Sequence, residues 1–210
     1  MEKGQILWRA QLGHDWRPVW QDEEYIDDVP TVYPIERMKP LPEKASDGRA
    51  NPRGIACLYL ASQQDTAILE VRPLIGSYVS VAQFRTKREL RLVDCSQKEI
   101  GNLAFLDPNL STEDIEKVVW SNINSAFSEP VERGDESLDY IPTQILAETF
   151  RSLGFDGVGY KSSYGENGFN VALFDLASAD LVTCSLHRVK DVSVTTTQQE
   201  EPYFVKETGG

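Results

Sequence analysis

The sequence predicts an α+β fold in a single domain, with mixed or antiparallel sheets flanked by short helices. Three observations predict it. Short apolar runs of strand length recur along the chain, and three segments carry helical spacing or capping signals. The two kinds mix without the regular β-α-β alternation of a doubly wound parallel sheet. No linker divides the 210 residues, a length that one hydrophobic core can serve.

The elements follow in order. Ile6–Ala10 is short and mostly apolar, hence a strand. Residues 11–54 then read as one irregular excursion, because Pro18, Pro30, Pro34, Pro40, Pro42 and Pro52 interrupt every helical pattern. Trp16, Trp20, Tyr25 and Tyr33 are expected to pack this loop onto the core or to meet a partner. Ile55–Ala61 is an unbroken apolar run and predicts a buried strand. Ser62-Gln63-Gln64-Asp65 is a capping pattern that opens a helix over Thr66–Val71, and Pro73 stops it. Tyr78–Phe84 and Glu89–Asp94 predict two strands. Ser111-Thr112-Glu113-Asp114 caps a second helix, whose Ile115, Val118, Val119, Ile123 and Phe127 keep helical spacing. Pro142 opens a third, with Ile145, Leu146, Thr149, Phe150 and Leu153 on one face and Gly154 at its end. Phe155–Lys161, Phe169–Asp175, Leu181–His187 and Val192–Thr197 are the remaining predicted strands, and the last dozen residues form a polar tail. The domain is thus expected over 1–187, with 11–47 as a Pro-rich excursion within it and 188–210 as a C-terminal strand and tail.

Composition narrows the function. There are 33 Asp and Glu against 21 Lys and Arg, a net charge of −12, so the chain as a whole repels phosphates and no nucleic-acid partner is expected. A small anionic substrate needs a pocket built from specific arginines. No apolar run reaches the roughly 20 residues that span a bilayer, and the N-terminus lacks a secretory layout. Cys57, Cys95 and Cys184 are odd in number and widely spaced, which implies no disulfide framework and a cytoplasmic setting. Cys184 and His187 have a C-x-x-H spacing without a second ligand pair, so no metal site is expected. G-x-S-x-G, Walker and G-x-G-x-x-G patterns are absent.

What remains is a cluster between 47 and 72. Asp47-Gly48-Arg49-Ala50-Asn51-Pro52-Arg53-Gly54 is rich in turn residues and presents two arginines. It leads into the strand bearing Tyr59, and then into the helix that carries Glu70. Ile68, Leu69 and Val71 surround Glu70 with apolar side chains, where a carboxylate is costly unless it is paired or has a task.

These residues resemble the RES-domain family. The likeness rests on Leu7-Trp8-Arg9-Ala10, Gly48-Arg49-Ala50-Asn51-Pro52-x-Gly54, Leu58-Tyr59-Leu60-Ala61 and Asp65-Thr66-Ala67-x-x-Glu70-Val71. It continues in Tyr140-Ile141-Pro142-Thr143-Gln144, Gly154-Phe155-Asp156-Gly157-Val158, Tyr160-Lys161-Ser162-Ser163 and Asn170-Val171-Ala172-Leu173-Phe174. Each motif alone is weak, and the ordered set is specific. The resemblance implies an ADP-ribosyltransferase-like fold and an enzyme that destroys NAD by hydrolysis or phosphorolysis. Many members are bacterial toxins held by an antitoxin protein. NAD is then the substrate, inorganic phosphate a possible co-substrate, and no cofactor is implied.

By the same resemblance Glu70 is the catalytic carboxylate, with Arg9 and Ser162 beside it. Arg49 is implied as a second grip on the pyrophosphate, and Tyr59 as a stacking surface for nicotinamide. Asn51, Ser163 and Thr143 complete the implied NAD contacts, and the family's serine could correspond to Ser162, Ser163 or Thr143. Two other readings stay open: a protein ADP-ribosyltransferase, and an inactive binding module of the same fold. Arginine-specific transferases generally carry a second glutamate two residues before the catalytic one, and that position here is Ile68.

Overall fold

A computed structural model describes residues 1–96, 111–129, 136–164 and 168–200. Among the described residues nine strands and five α-helices run in the order β1 (Ile6–Leu12), β2 (Asp15–Gln21), β3 (Glu24–Thr31), α1 (Ile35–Met38), β4 (Leu58–Ala61), α2 (Gln64–Glu70), β5 (Tyr78–Thr86), β6 (Leu92–Asp94), α3 (Thr112–Ser128), α4 (Glu136–Asp139), α5 (Ile141–Ser152), β7 (Gly157–Lys161), β8 (Phe169–Leu173) and β9 (Ala179–Arg188). Seven strands form one sheet, ordered β6-β7-β8-β4-β1-β5-β9, and β2-β3 form a separate ribbon. Every neighbouring pair is antiparallel except β6 with β7. The fold is α+β in one domain, as the mixed pattern of elements predicts.

Strand alternation splits the apolar residues between two faces. Leu7, Leu58, Leu60, Phe84, Val171 and Leu173 pack on one face under Tyr33 and Met38. On the other, Val158, Tyr160 and Ala172 meet Phe127 of α3 and Ala147 of α5, while Ala10, Ala61, Val79 and Val81 meet Ala67 of α2. Among the described residues no helix is long and apolar enough to cross a membrane.

Several expectations are corrected. Residues 11–47 are not irregular throughout, since they contain the β2–β3 hairpin with Pro18 and Pro30 inside its strands. In a two-stranded ribbon each strand has an outer edge, where a missing N–H is tolerated. Trp16, Trp20 and Tyr25 are 57%, 61% and 53% exposed, so of the four aromatics only Tyr33, at 8%, packs into the core. The strand expected from Ile55 begins at Leu58. Ser62 does not cap α2; its hydroxyl accepts the Phe169 N–H at 3.1 Å, and the helix opens at Gln64 without a side-chain cap.

Ser111 does cap α3, accepting the Asp114 N–H at 3.2 Å. On that helix Val118 and Phe127 are buried, while Ile115 and Val119 stand exposed. In α5 Leu146 and Phe150 pack inward and Ile145 and Leu153 do not. Gly154 ends that helix at φ +80°, a left-handed position that favours glycine. The expected strand at Val192–Thr197 does not form; these residues stand exposed, with no buried face to hold them to a sheet, and have no strand partner among the described residues. Most of the expected polar tail lies outside the described residues. Cys184 leans on the core, and His187 hydrogen-bonds Ser185 Oγ at 2.9 Å, so the C-x-x-H pair serves separate surroundings.

Candidate active site

The site begins as a gap in the sheet. β1 pairs with β5 over seven residues but with β4 at one position only, Trp8 opposite Ala61. Beyond that pair the two strands diverge and open a cleft of about 470 Å³. Trp8, Arg9 and Ala10 line one side, Tyr59, Leu60 and Ala61 the other, and α2 supplies Glu70. A volume of this size lies within the range of small-molecule sites.

Arg9 spans the gap. Its Nη1 donates to the Tyr59 carbonyl at 3.2 Å, satisfying an oxygen exposed where the strands part. Its Nε is buried without an acceptor among the described residues. Burial lowers the guanidinium to about 10, which still leaves it a cation at neutral pH. Among the described residues no carboxylate pairs with it. A charge in this position is suited to an anion.

Glu70 ends α2 and is half-buried. Ser162 Oγ donates to its Oε1 at 2.8 Å, and Asn170 Nδ2 donates to the same oxygen. Ser162 lies just past β7 and Asn170 on β8, so two sheet elements fix a helix-borne carboxylate against the cleft wall. Both partners are buried, at 4% and 7% exposure. Ser162 also accepts the Tyr164 N–H at 3.0 Å, which settles its rotamer. Ser162 itself does not line the cleft and meets it through its contact with Glu70.

The arginine turn forms a third wall. Gly48 and Asn51 exchange backbone hydrogen bonds of 2.9 and 3.2 Å, closing a tight turn around Arg49 and Ala50. Tyr59 locks it: its hydroxyl donates to Asn51 Oδ1 at 2.6 Å and accepts the Ala50 N–H at 2.9 Å. Any Cβ at position 48 would sit 2.6 Å from that hydroxyl, so glycine is required there. Gln144 of α5 donates to the Gly48 and Asn51 carbonyls, both at 3.1 Å. Arg49 reaches across to α3, donating to the Phe127 and Glu129 carbonyls at the negative end of that helix. Burial raises the Tyr59 and Tyr160 hydroxyls above their ordinary values, so both stay neutral donors near pH 7.

Of the residues singled out from sequence, Arg9, Arg49, Tyr59 and Glu70 meet on one cleft, and Ser162 reaches it through Glu70. Asn51 lies behind the wall and holds the turn. Like Ser162 and Asn51, the remaining two, Thr143 and Ser163, do not line the cleft. Thr143 is buried and donates to the Tyr140 carbonyl at 3.0 Å, inside the first turn of α5. Ser163 turns outward and donates to the Ser128 carbonyl at the end of α3.

Sequence reasoning gave no role to Asn170, Trp8, Tyr140 or Arg72, which also line the cleft. Asn170 carried a usable signal, a polar residue in an otherwise apolar strand, where burial demands a partner. Arg72 has φ +47°, which is unusual for a residue with a side chain.

No curated protein matches this chain. The model of the RES domain matches residues 6–199, a span that takes in all nine strands and every wall of the cleft. Motifs scattered over the sequence thus converge on the carboxylate of Glu70 and the guanidinium of Arg9 inside a family match of nearly full length, and the chain belongs to the RES-domain family.

Proposed function

We infer that the chain cleaves the nicotinamide–ribose bond of NAD, passing the ADP-ribosyl group to water or to inorganic phosphate. Family membership supports an NAD-related, toxin-like role. The observation that carries the finer reading is Glu70, a carboxylate held by Ser162 and Asn170 in a cleft whose facing cation, Arg9, has no carboxylate partner among the described residues.

The chemistry needs both charges. As the C–N bond breaks, its electron pair leaves with neutral nicotinamide, and positive charge develops on the ribose ring. A fixed carboxylate stabilises that charge more in the transition state than in the ground state. Water or phosphate then bonds to the anomeric carbon, and with water one proton is released to solvent. Arg9 supplies the grip for the pyrophosphate, and Trp8, Tyr59, Tyr140 and Tyr160 give aromatic walls suited to nicotinamide or adenine. Asn170 and Ser162 spend their hydrogen bonds on the carboxylate, so it enters the reaction already oriented.

Purified protein incubated with NAD should release free nicotinamide without becoming labelled. ADP-ribose is the co-product of water attack, and its 1″-phosphate that of phosphate attack. Glu70→Gln should keep the fold and lose about 10²–10³ in rate. Label appearing on protein would move the reading to transfer, and absence of both products would leave a binding module.

A further inference from the structure

The β2–β3 ribbon carries a face that the seven-stranded sheet does not use. Residues opposite each other in an antiparallel pair, and residues two apart along a strand, point to the same side. Trp16 stands opposite Pro30, Pro18 opposite Asp28, and Trp20 opposite Tyr25. These six side chains therefore share one face, and the Trp20 and Tyr25 rings meet edge-on across it at 5.6 Å. Both tryptophans and Tyr25 are more than half exposed. Neither strand contributes a residue to the cleft, so a partner seated on this face does not fill it.

Charge is concentrated on the same arm. Between positions 15 and 31 stand Asp15, Asp22, Glu23, Glu24, Asp27 and Asp28, against Arg17 as the one basic residue. All these carboxylates are exposed, and among the described residues none forms an ion pair. Two of them sit at the tip against the preference of the backbone. Asp22 and Glu23 make the turn between the strands, with φ +48° and +69°. A two-residue turn with both φ positive favours Asn-Gly, and a glutamate there is strained. The tip thus carries charge where hairpin stability alone calls for Asn-Gly.

The chemistry of the face selects its occupant. Tryptophan faces attract guanidinium groups, and neighbouring carboxylates hold them through charge-assisted hydrogen bonds. The same carboxylates repel a nucleic-acid backbone and a second copy of the arm. Pro18 and Pro30 place a residue without an N–H in each strand, which blunts pairing along the edges and leaves the face for contact. The seven residues of β2 extend about 23 Å, enough to seat a segment of chain.

We propose that the aromatic face of the β2–β3 arm docks an arginine-rich segment of a second protein. Its guanidinium groups stack on Trp16 and Trp20 and pair with Asp28 and the carboxylates of the tip. The assignment makes no use of the NAD reading.

Fluorescence anisotropy of a labelled octa-arginine peptide, titrated with the whole protein, tests the assignment. Trp16→Ala/Trp20→Ala removes the stacking surface at constant net charge, and Asp22→Asn/Asp28→Asn removes two charges from the arm. Glu116→Gln/Asp191→Asn removes two exposed charges elsewhere. All six side chains are exposed, so the core stays intact, and circular dichroism checks each variant. Wild type and the Glu116/Asp191 variant should bind the peptide alike, and each arm variant at least about tenfold more weakly. Wild type that does not bind, or either arm variant binding as wild type does, overturns the proposal. Equal weakening in all three variants also overturns it, since attraction to the whole acidic chain would then suffice. Sedimentation and flotation with uncharged phosphatidylcholine vesicles examine the other occupants. Self-association or vesicle binding that the Trp16/Trp20 variant loses would give the face to a second copy or to a membrane, and would overturn the arginine-rich partner.

Discussion

Glu70 shows how little of a candidate catalytic residue lies in its own identity. Its position on a short helix gives it a place, and Ser162 and Asn170 give it an orientation. Removing either donor should therefore leave substrate binding intact and loosen the reacting geometry. Ser162→Ala and Asn170→Ala are each expected to lower kcat by about tenfold with KM within about twofold. Steady-state kinetics on nicotinamide release check the split, and a KM effect larger than the kcat effect would make these residues substrate contacts instead. Arg9 gives a second test, through pH. Burial lowers its guanidinium to about 10, so it is charged below that value and neutral above it. Affinity for inorganic pyrophosphate should hold from pH 7 to about 9 and fall as the pH passes through about 10. Arg9→Ala should bind weakly throughout and lose that inflection. A wild-type curve identical to the variant's would remove Arg9 from the anion site.

At the scale of elements, the β2–β3 hairpin stands apart from what frames the cleft. Its base is tied down: Gly13 N–H donates to the Tyr78 carbonyl at 2.7 Å, and Tyr33 N–H to Ser80 Oγ at 3.1 Å. Its arm is not, since Trp16, Trp20 and Tyr25 are exposed; Trp16 meets His14 edge-on at 4.7 Å, and Trp20 meets Tyr25 within the arm. Replacing residues 15–31 by a short Asn-Gly turn should leave the seven-stranded sheet folded, with Tm lowered by no more than a few degrees. It should also leave nicotinamide release near wild type. A thermal melt followed by circular dichroism reads the first, and a collapse of cooperativity would show that the arm supports the core. The proline count concealed this hairpin, because proline penalises helices and central strands alike yet is tolerated in a two-stranded ribbon.

For the whole molecule, the acidic balance and the cleft pull in opposite directions. A net charge of −12 repels a dinucleotide, so the NAD recognition proposed above rests on the local cations Arg9 and Arg49 that line the cleft. If the toxin-like reading holds, expressing this chain alone in bacteria should deplete NAD and arrest growth, while Glu70→Gln should do neither. Normal NAD levels during verified soluble expression would count against that role, and the purified protein would then decide whether cleavage itself stands.

The sequence alone determined what depends on local chemistry. Apolar runs marked β4, β5, β7 and β8, Ser111 marked the cap of α3, and Gly154 the end of α5. The ordered motifs brought out Glu70, Arg9 and Arg49. Only the tertiary structure decided which hydroxyl serves the carboxylate, because Ser162 and Ser163 are neighbours that differ only in direction; one faces Glu70 and the other the end of α3. Only it revealed Asn170, whose partner lies 100 residues away, and the employment of Arg49 by helix carbonyls. The cleft itself is of the same kind. It exists because β1 and β4 pair at one position and then part, and strand pairing between distant segments is set by long-range packing, which no local spacing in the chain encodes.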